Sequence, residues 1–119
     1  MPFMFENLDV YQKSVDFAET IITLTDGFPK GYYFLTDQLN RASLSIATNI
    51  AEGNGRFTKG DRRNFFIIAR GSIQECIPLL EISKRKQFIS DDKHSVLLNQ
   101  LETISKMISG LINGLEKRK

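Results

Sequence analysis

Apolar residues recur at intervals of three and four along most of this chain, which is the spacing of one buried face of an α-helix. The pattern predicts a first helix over residues 7–24 and a second over residues 34–54, separated by a glycine- and proline-rich loop. A third helix is predicted over residues 58–87 and a fourth over residues 91–117. Because the connections are short, the sequence predicts one all-α domain over residues 1–119, an antiparallel up-down-up-down four-helix bundle.

The first helix carries two neighbouring apolar stripes, whereas the fourth carries one regular seam. Two apolar sides on the first helix indicate either a wide contact with the core or an interface between subunits. The two stripes are Leu8, Tyr11, Val15, Ala18 and Ile22, and Val10, Ser14, Phe17, Ile21 and Leu24. The seam of the fourth helix consists of Leu97, Leu101, Ile104, Ile108, Leu111 and Leu115.

Several residues mark where the helices begin, bend and end. Gly53 and Gly55 are expected to supply the backbone freedom of a helix end and a turn. Thr58 and Ser90 are expected to cap the third and fourth helices. Pro78 lies inside the third helical pattern, and because the periodicity continues on both sides of it, we expect a kink near residues 74–78 rather than a break.

The charge of the chain is small but unevenly placed. Residues 1–60 carry five basic and seven acidic side chains, and residues 61–119 carry eleven and seven, which gives −2 and +4. The single cysteine, Cys76, cannot form an internal disulfide, which favours a reducing compartment. Since neither a signal peptide nor a run long enough for a membrane span is visible, we expect a cytoplasmic protein.

The most distinctive local feature is a group of cations between the second and third helices, which we call the basic corner. It consists of Arg56, Lys59, Arg62 and Arg63, opposed locally only by Asp61, which leaves +3 within eight residues. Such a group predicts contacts with the phosphates of RNA or DNA. The basic run Lys84–Lys86 is explained equally by the end of a helix or by phosphate contacts.

Polar residues also occur inside otherwise apolar patterns on the second and third helices. Asn49, Glu52, Arg70 and Glu75 are predicted to form a polar network that fixes how these two helices pair. In the alternative interpretation, Arg70 extends the basic corner towards a phosphate of the nucleic-acid backbone.

The residues required for common enzyme chemistry are missing from the pattern. The only histidine, His94, is expected on the surface, and with one histidine and one cysteine no zinc pattern exists. Gly53–Gly55 lacks the lysine of a phosphate-binding loop, and Ser43, Ser45 and Ser72 have no likely histidine base. We therefore predict a protein without catalytic residues, a metal or a cofactor.

The residues around the basic corner resemble a known family of four-helix-bundle proteins. This family contains the proteins encoded in intervening sequences of 23S ribosomal RNA genes, often labelled ribosomal proteins, and the accessory variability determinant of diversity-generating retroelements. The resemblance covers nearly the whole chain. It is carried by Gln38-Leu39, Arg41-Ala42, Ser45-Ile46, the specific block Asn49-Ile50-Ala51-Glu52-Gly53, Gly55-Arg56, Ala69-Arg70-Gly71-Ser72-Ile73 and Glu75.

The resemblance implies a cytoplasmic bundle that assembles into a barrel-like homopentamer. In the retroelement branch it implies a basic protein that binds nucleic acid and a reverse transcriptase. Our leading hypothesis is a non-enzymatic oligomer that binds RNA or DNA non-specifically through Arg56, Lys59, Arg62 and Arg63, with Arg70 as an additional contact. The alternative is a protein-interaction scaffold, or an accessory subunit such as one for a reverse transcriptase, without nucleic-acid binding of its own.

Overall fold

The computed structural model describes residues 4–117 and contains four long helices. A 3-10 turn, Met4–Asn7, precedes α1 (Asp9–Thr25), α2 (Tyr33–Asn54), α3 (Lys59–Arg85) and α4 (Asp91–Lys117). The predicted all-α class is confirmed, since no strand occurs in the described part of the chain. No helix within residues 4–117 has an apolar stretch of the length that crossing a bilayer requires.

The core is built from one apolar face of each helix. On α1 this face is the second of the two predicted stripes, because Val10, Phe17 and Ile21 are buried while Val15 and Ile22 of the first stripe are 38% and 44% exposed. The first stripe therefore reaches the core only in part, and Val15 and Ile22 remain at the surface of this chain.

The core face of α4 follows the predicted seam at every position except Leu111, and Leu115 is buried as predicted. Ile112 is buried, whereas Leu111 is only partly buried. A strict seven-residue repeat averages 3.5 residues per turn, so a straight helix with 3.6 residues per turn drifts away from it. In the last turns of α4 this drift has moved position 111 towards the edge of the core face, where positions 112 and 115 are buried.

The prediction that His94 lies on the surface is wrong. Its side chain is 5% exposed, and its Nε2 atom is buried without a hydrogen-bond partner among the described residues. His94 occurs three residues before Leu97 in the buried series of α4, so the helical period carries it inward. Charge in the neighbouring sequence was therefore a poorer guide to its position than periodicity.

Helix α3 is continuous through Pro78, as expected, and the kink stays a prediction. It ends without glycine: the Phe88 N–H donates to the Ser83 carbonyl, and the Gln87 N–H donates to the Lys84 carbonyl, both at 2.9 Å. These two bonds form a Schellman motif. Gln87 occupies its left-handed position with a φ of 62°, where glycine is usual.

Contacts between neighbouring helices fix their relative register. The Asn40 amide nitrogen lies 3.1 Å from Thr25 Oγ1, which joins α2 to α1. Hydroxyl groups of Ser45 and Ser72, 2.8 Å apart, join α2 to α3. Between α3 and α4, residue 63 contacts residue 116 and residue 70 contacts residue 109, so the numbers rise on one helix as they fall on the other.

Candidate nucleic-acid interface

The basic corner is formed by the end of α2, a short turn, and the start of α3. The Gly55 N–H donates to the carbonyls of Ala51 and Glu52, both at 3.2 Å, and closes the last turn of α2. Thr58 caps α3 as predicted, because its Oγ1 accepts a hydrogen bond of 3.1 Å from the Asp61 N–H. The turn of residues 55–58 is therefore fixed on both sides by helix-end hydrogen bonds.

Glycine is required at position 53 for space rather than for backbone freedom. Neither Gly53 nor Gly55 has a positive φ, so the expected conformational role is wrong for both. A Cβ atom at Gly53 would lie 2.7 Å from Cε1 of Phe66 and 3.1 Å from Cβ of Phe65. The absent side chain thus allows α3 to approach α2 closely, immediately beside the basic corner.

The four cations of the basic corner have different partners. The Arg56 guanidinium donates to Glu52 Oε2 at 2.9 Å and stacks over the Phe65 ring, 4.6 Å from its centroid. Arg62 Nε donates to the backbone carbonyl of Arg56 at 2.7 Å, and no carboxylate within residues 4–117 forms an ion pair with Arg62. Arg62 is half-buried by this contact.

Arg63 and Lys59 complete the set. Arg63 Nε lies 3.2 Å from Glu116 Oε1, a contact between residues 53 positions apart in the chain. Lys59 is exposed, and no carboxylate within residues 4–117 lies within ion-pair distance of it. Phe57, between Arg56 and Lys59, is fully exposed.

The fold reduces the charge of this surface below the value expected from its local sequence. The four cations and Asp61 give +3, and Glu52 and Glu116, which pair with Arg56 and Arg63, reduce the sum to +1. Both ion pairs are about half exposed, and each is worth on the order of 0.5 kcal/mol or less. A phosphate group can therefore compete for both arginines at small cost.

The residues of the predicted polar network make separate contacts rather than contacts with one another. Asn49 donates to the carbonyl and the hydroxyl of Ser45 at 2.8 and 2.9 Å, and Glu52 pairs with Arg56. Arg70 donates to Ser109 Oγ at 3.3 Å, and Glu75 is exposed. The link between α2 and α3 at this level is instead the Ser45–Ser72 hydrogen bond.

Arg70 lies on the same face of α3 as Arg63 but at a distance from the basic corner. A spacing of seven residues corresponds to two helical turns, or about 10 Å along α3. Both arginines contact α4, at Ser109 and Glu116. Arg70 thus extends the positive surface along the groove between α3 and α4 and has no carboxylate partner in the described part of the chain.

Groups suited to metal binding or nucleophilic chemistry are not assembled near this surface. Within residues 4–117, no three His, Cys, Asp or Glu side chains form a group that could hold a metal ion. The Cys76 thiol is buried in the core, and burial, with a smaller contribution from the Glu75 carboxylate, raises its pKa from 9.0 to about 12. A thiol with that pKa remains protonated at neutral pH.

The fold has a counterpart among solved structures. It is similar to a crystal structure from Bacteroides thetaiotaomicron VPI-5482 of a protein with unknown function from the S23 ribosomal protein family, at 26% sequence identity and a TM-score of 0.80. The similarity covers 87% of this chain and 97% of the other. No match was found among curated proteins.

The sequence also matches a family of known proteins. Residues 6–110 match the family described as 23S rRNA-intervening sequence protein, which confirms the resemblance to the proteins encoded in intervening sequences of 23S ribosomal RNA genes. Because the match spans most of the chain, this protein belongs to the 23S rRNA-intervening sequence protein family.

Proposed function

We propose that this protein is a non-enzymatic, cytoplasmic oligomer that binds RNA or DNA non-specifically through the basic corner. The observation that carries the proposal is the pair Lys59 and Arg62, two cations without a carboxylate partner in the described residues, beside the fully exposed Phe57 ring. Cations without carboxylate partners attract phosphates, and an exposed ring can stack on an unpaired base.

The expected binding is weak for one chain and stronger for an assembly. A surface of net charge +1 makes few phosphate contacts, whereas several copies in a ring gain affinity through avidity. The homopentamer implied by the family resemblance would supply five such surfaces. We also infer an antiparallel up-down-up-down bundle, which is supported by the opposed numbering of the contacts between α3 and α4.

The test is a fluorescence-anisotropy titration of labelled duplex DNA, duplex RNA and single-stranded RNA at two salt concentrations. For the variant Arg62→Ala/Arg63→Ala we expect weaker binding to all three, with a duplex salt slope reduced by up to about 1.8, or about 0.9 for each phosphate that the variant no longer neutralises. The matched control, Lys13→Ala/Lys106→Ala, removes the same charge from α1 and α4. Equal affinities of the two variants would exclude the basic corner as the binding surface.

A second candidate function is a protein-interaction scaffold or accessory subunit, for example for a reverse transcriptase. Three exposed apolar residues, Val15, Ile22 and Leu44, favour it. The Thr25–Asn40 contact joins the end of α1 to α2, and Ile22 and Leu44 occur three residues before Thr25 and four residues after Asn40. Light scattering of Ile22→Ser/Leu44→Ser tests whether this surface joins copies of the chain. A smaller mass than wild type supports an interface between copies, and an unchanged mass excludes that interface.

A further inference from the structure

At the other end of α3, about 40 Å from the basic corner, two loops bring aromatic rings together. The loop before α2 supplies Phe28 and Tyr32, and the turn after α3 supplies Phe88. The Phe88 ring lies 5.3 Å from Phe28 and 4.7 Å from Tyr32, measured between ring centroids. Phe28 and Phe88 pack against the core, so this cluster has a rigid base. We call residues 28–34 and 82–88 the aromatic end.

Two further rings of the aromatic end point away from the core. Tyr33 is 73% exposed and Phe34 is 65% exposed, although the buried face of α2 begins at the next residue, Leu35. Both rings line an open groove on the surface of α2, together with Thr36, Asp37 and Asn40. The Phe34 ring also lies 5.9 Å from Tyr32, so the exposed rings continue directly into the packed cluster.

The charged residues within the two segments of the aromatic end are all basic. The segments 28–34 and 82–88 contain Lys30, Lys84, Arg85 and Lys86 and no Asp or Glu. The Lys86 ammonium lies 5.5 Å from the centroid of the Tyr32 ring, and Lys30 is exposed in the loop before α2. Arg85 pairs with Glu81 at 3.0 Å and keeps most of its side chain exposed.

One carboxylate, that of Asp37, lies in the groove, and it is already paired. Its Oδ2 atom accepts from Arg41 Nε at 3.0 Å on the exposed surface of α2. The groove itself is therefore close to neutral, whereas the Lys86 ammonium lies against the Tyr32 ring, which in turn contacts Phe34 of the groove. This arrangement fits a ligand that has flat apolar faces joined by negatively charged groups.

We propose that the aromatic end binds single-stranded nucleic acid, with bases stacked on Tyr33 and Phe34 and phosphates contacted by Lys30 and Lys86. Every base has a flat π-face, so stacking of this kind tolerates any sequence. In a duplex the bases are already stacked on one another, and these rings reach only bases that are unpaired. The aromatic end thus selects single strands, whereas the basic corner contacts phosphates of either form.

The decisive experiment compares the variant Tyr33→Ala/Phe34→Ala with the control Ile77→Ala/Val96→Ala, which trims two exposed apolar residues on α3 and α4. Labelled oligouridine, oligoadenine and a duplex of the same length are titrated by anisotropy, after circular dichroism has shown equal helix content. We expect at least about a thirtyfold loss of affinity for both single strands with the first variant, and wild-type affinity with the control. Duplex affinity should be unchanged by either variant.

The lysines are tested separately through the dependence of binding on salt. For Lys30→Ala/Lys86→Ala we expect the single-strand salt slope to fall by about 1.4, or about 0.7 for each phosphate that the two lysines neutralise. The inference is overturned if Tyr33→Ala/Phe34→Ala binds single strands like wild type. It is overturned equally if that variant loses single-strand affinity only together with a smaller mass in light scattering, because the rings would then join copies of this chain.

The outcomes for the two ends are distinguishable. Loss of single-strand binding only in the aromatic variant supports the aromatic end and refutes the basic corner for that ligand. Loss of single-strand binding only in Arg62→Ala/Arg63→Ala supports the basic corner and refutes the aromatic end for that ligand. Loss of single-strand affinity in both variants, with duplex affinity reduced only in the second, supports both surfaces.

Discussion

Replacing Gly53 by alanine tests whether the close approach of α2 and α3 depends on the absence of one side chain. The new Cβ would lie 2.7 and 2.8 Å from two carbons of the Phe66 ring, well inside van der Waals contact. Phe66 is only 3% exposed, so its ring has little room to move away. Overpacking of this kind costs about 2–3 kcal/mol, and the better helix propensity of alanine returns about 1 kcal/mol. We expect a net loss of about 1–2 kcal/mol in the free energy of unfolding.

A control for the helix-propensity term exists in the same chain. Gly71 on α3 and Gly110 on α4 are exposed helical glycines with no atom within 4 Å of a Cβ built on them. Gly71→Ala and Gly110→Ala should therefore each stabilise the protein by up to about 1 kcal/mol. The difference between Gly53→Ala and either control should reach about 2–3 kcal/mol, since only the first meets the Phe66 ring.

The measurement is urea unfolding followed by circular dichroism at several protein concentrations, which separates folding from assembly. If Gly53→Ala is as stable as Gly71→Ala, the contact with Phe66 does not constrain position 53 and our explanation of this glycine is wrong. The double variant Gly53→Ala/Phe66→Leu adds a second check. Because leucine removes part of the ring volume, the two changes should cost less together than the sum of their separate costs.

Two further predictions concern the end of α3 and the buried thiol. Because Gln87 has a φ of 62°, Gln87→Gly should raise the free energy of unfolding by about 0.5 kcal/mol. Lys86→Gly, at a φ of −79°, should lower it. Equal decreases in the free energy of unfolding for the two variants would contradict this prediction. Cys76 should react with Ellman's reagent at about pH 8 only after denaturant is added, and rapid labelling of the folded protein would refute its burial. Folding raises the pKa of the Cys76 thiol from 9.0 to about 12. The contribution of this thiol to the free energy of unfolding is therefore complete below pH 9.0 and declines as the pH rises from 9.0 towards 12. The free energy of unfolding of Cys76→Ala should decline less over the same pH range.

The features of this fold that could be predicted from the sequence depend on residues that are close together in it. The helices follow from the period of apolar residues, and Thr58 caps α3 because its partner is three residues away. Arg62 and Arg63 were identified as candidate ligands of phosphate from their local charge alone. The charge that remains at the basic corner could not be predicted, because Glu116 reaches Arg63 from 53 residues away.

The aromatic end illustrates the same limit. The loop of residues 25–33 and the basic run Lys84–Lys86 were each visible in the sequence, but nothing local indicated that Tyr32 and Phe88 would meet. Pairing of these two loops depends on the packing of α2 against α3 over their whole length. The burial of His94 was missed for a different reason. Its spacing of three residues from Leu97 indicated a buried position, but the prediction followed the acidic residues that precede it.

The ion pair between Arg63 and Glu116 makes the last turn of α4 and the basic corner compete for one guanidinium. A phosphate that takes Arg63 releases Glu116 and removes an interaction that holds this turn against α3. By thermodynamic linkage, the Arg63–Glu116 ion pair weakens phosphate binding by the same factor by which phosphate binding weakens the ion pair. Phosphate binding at the basic corner should thus be detected as faster amide hydrogen exchange in the final turn of α4.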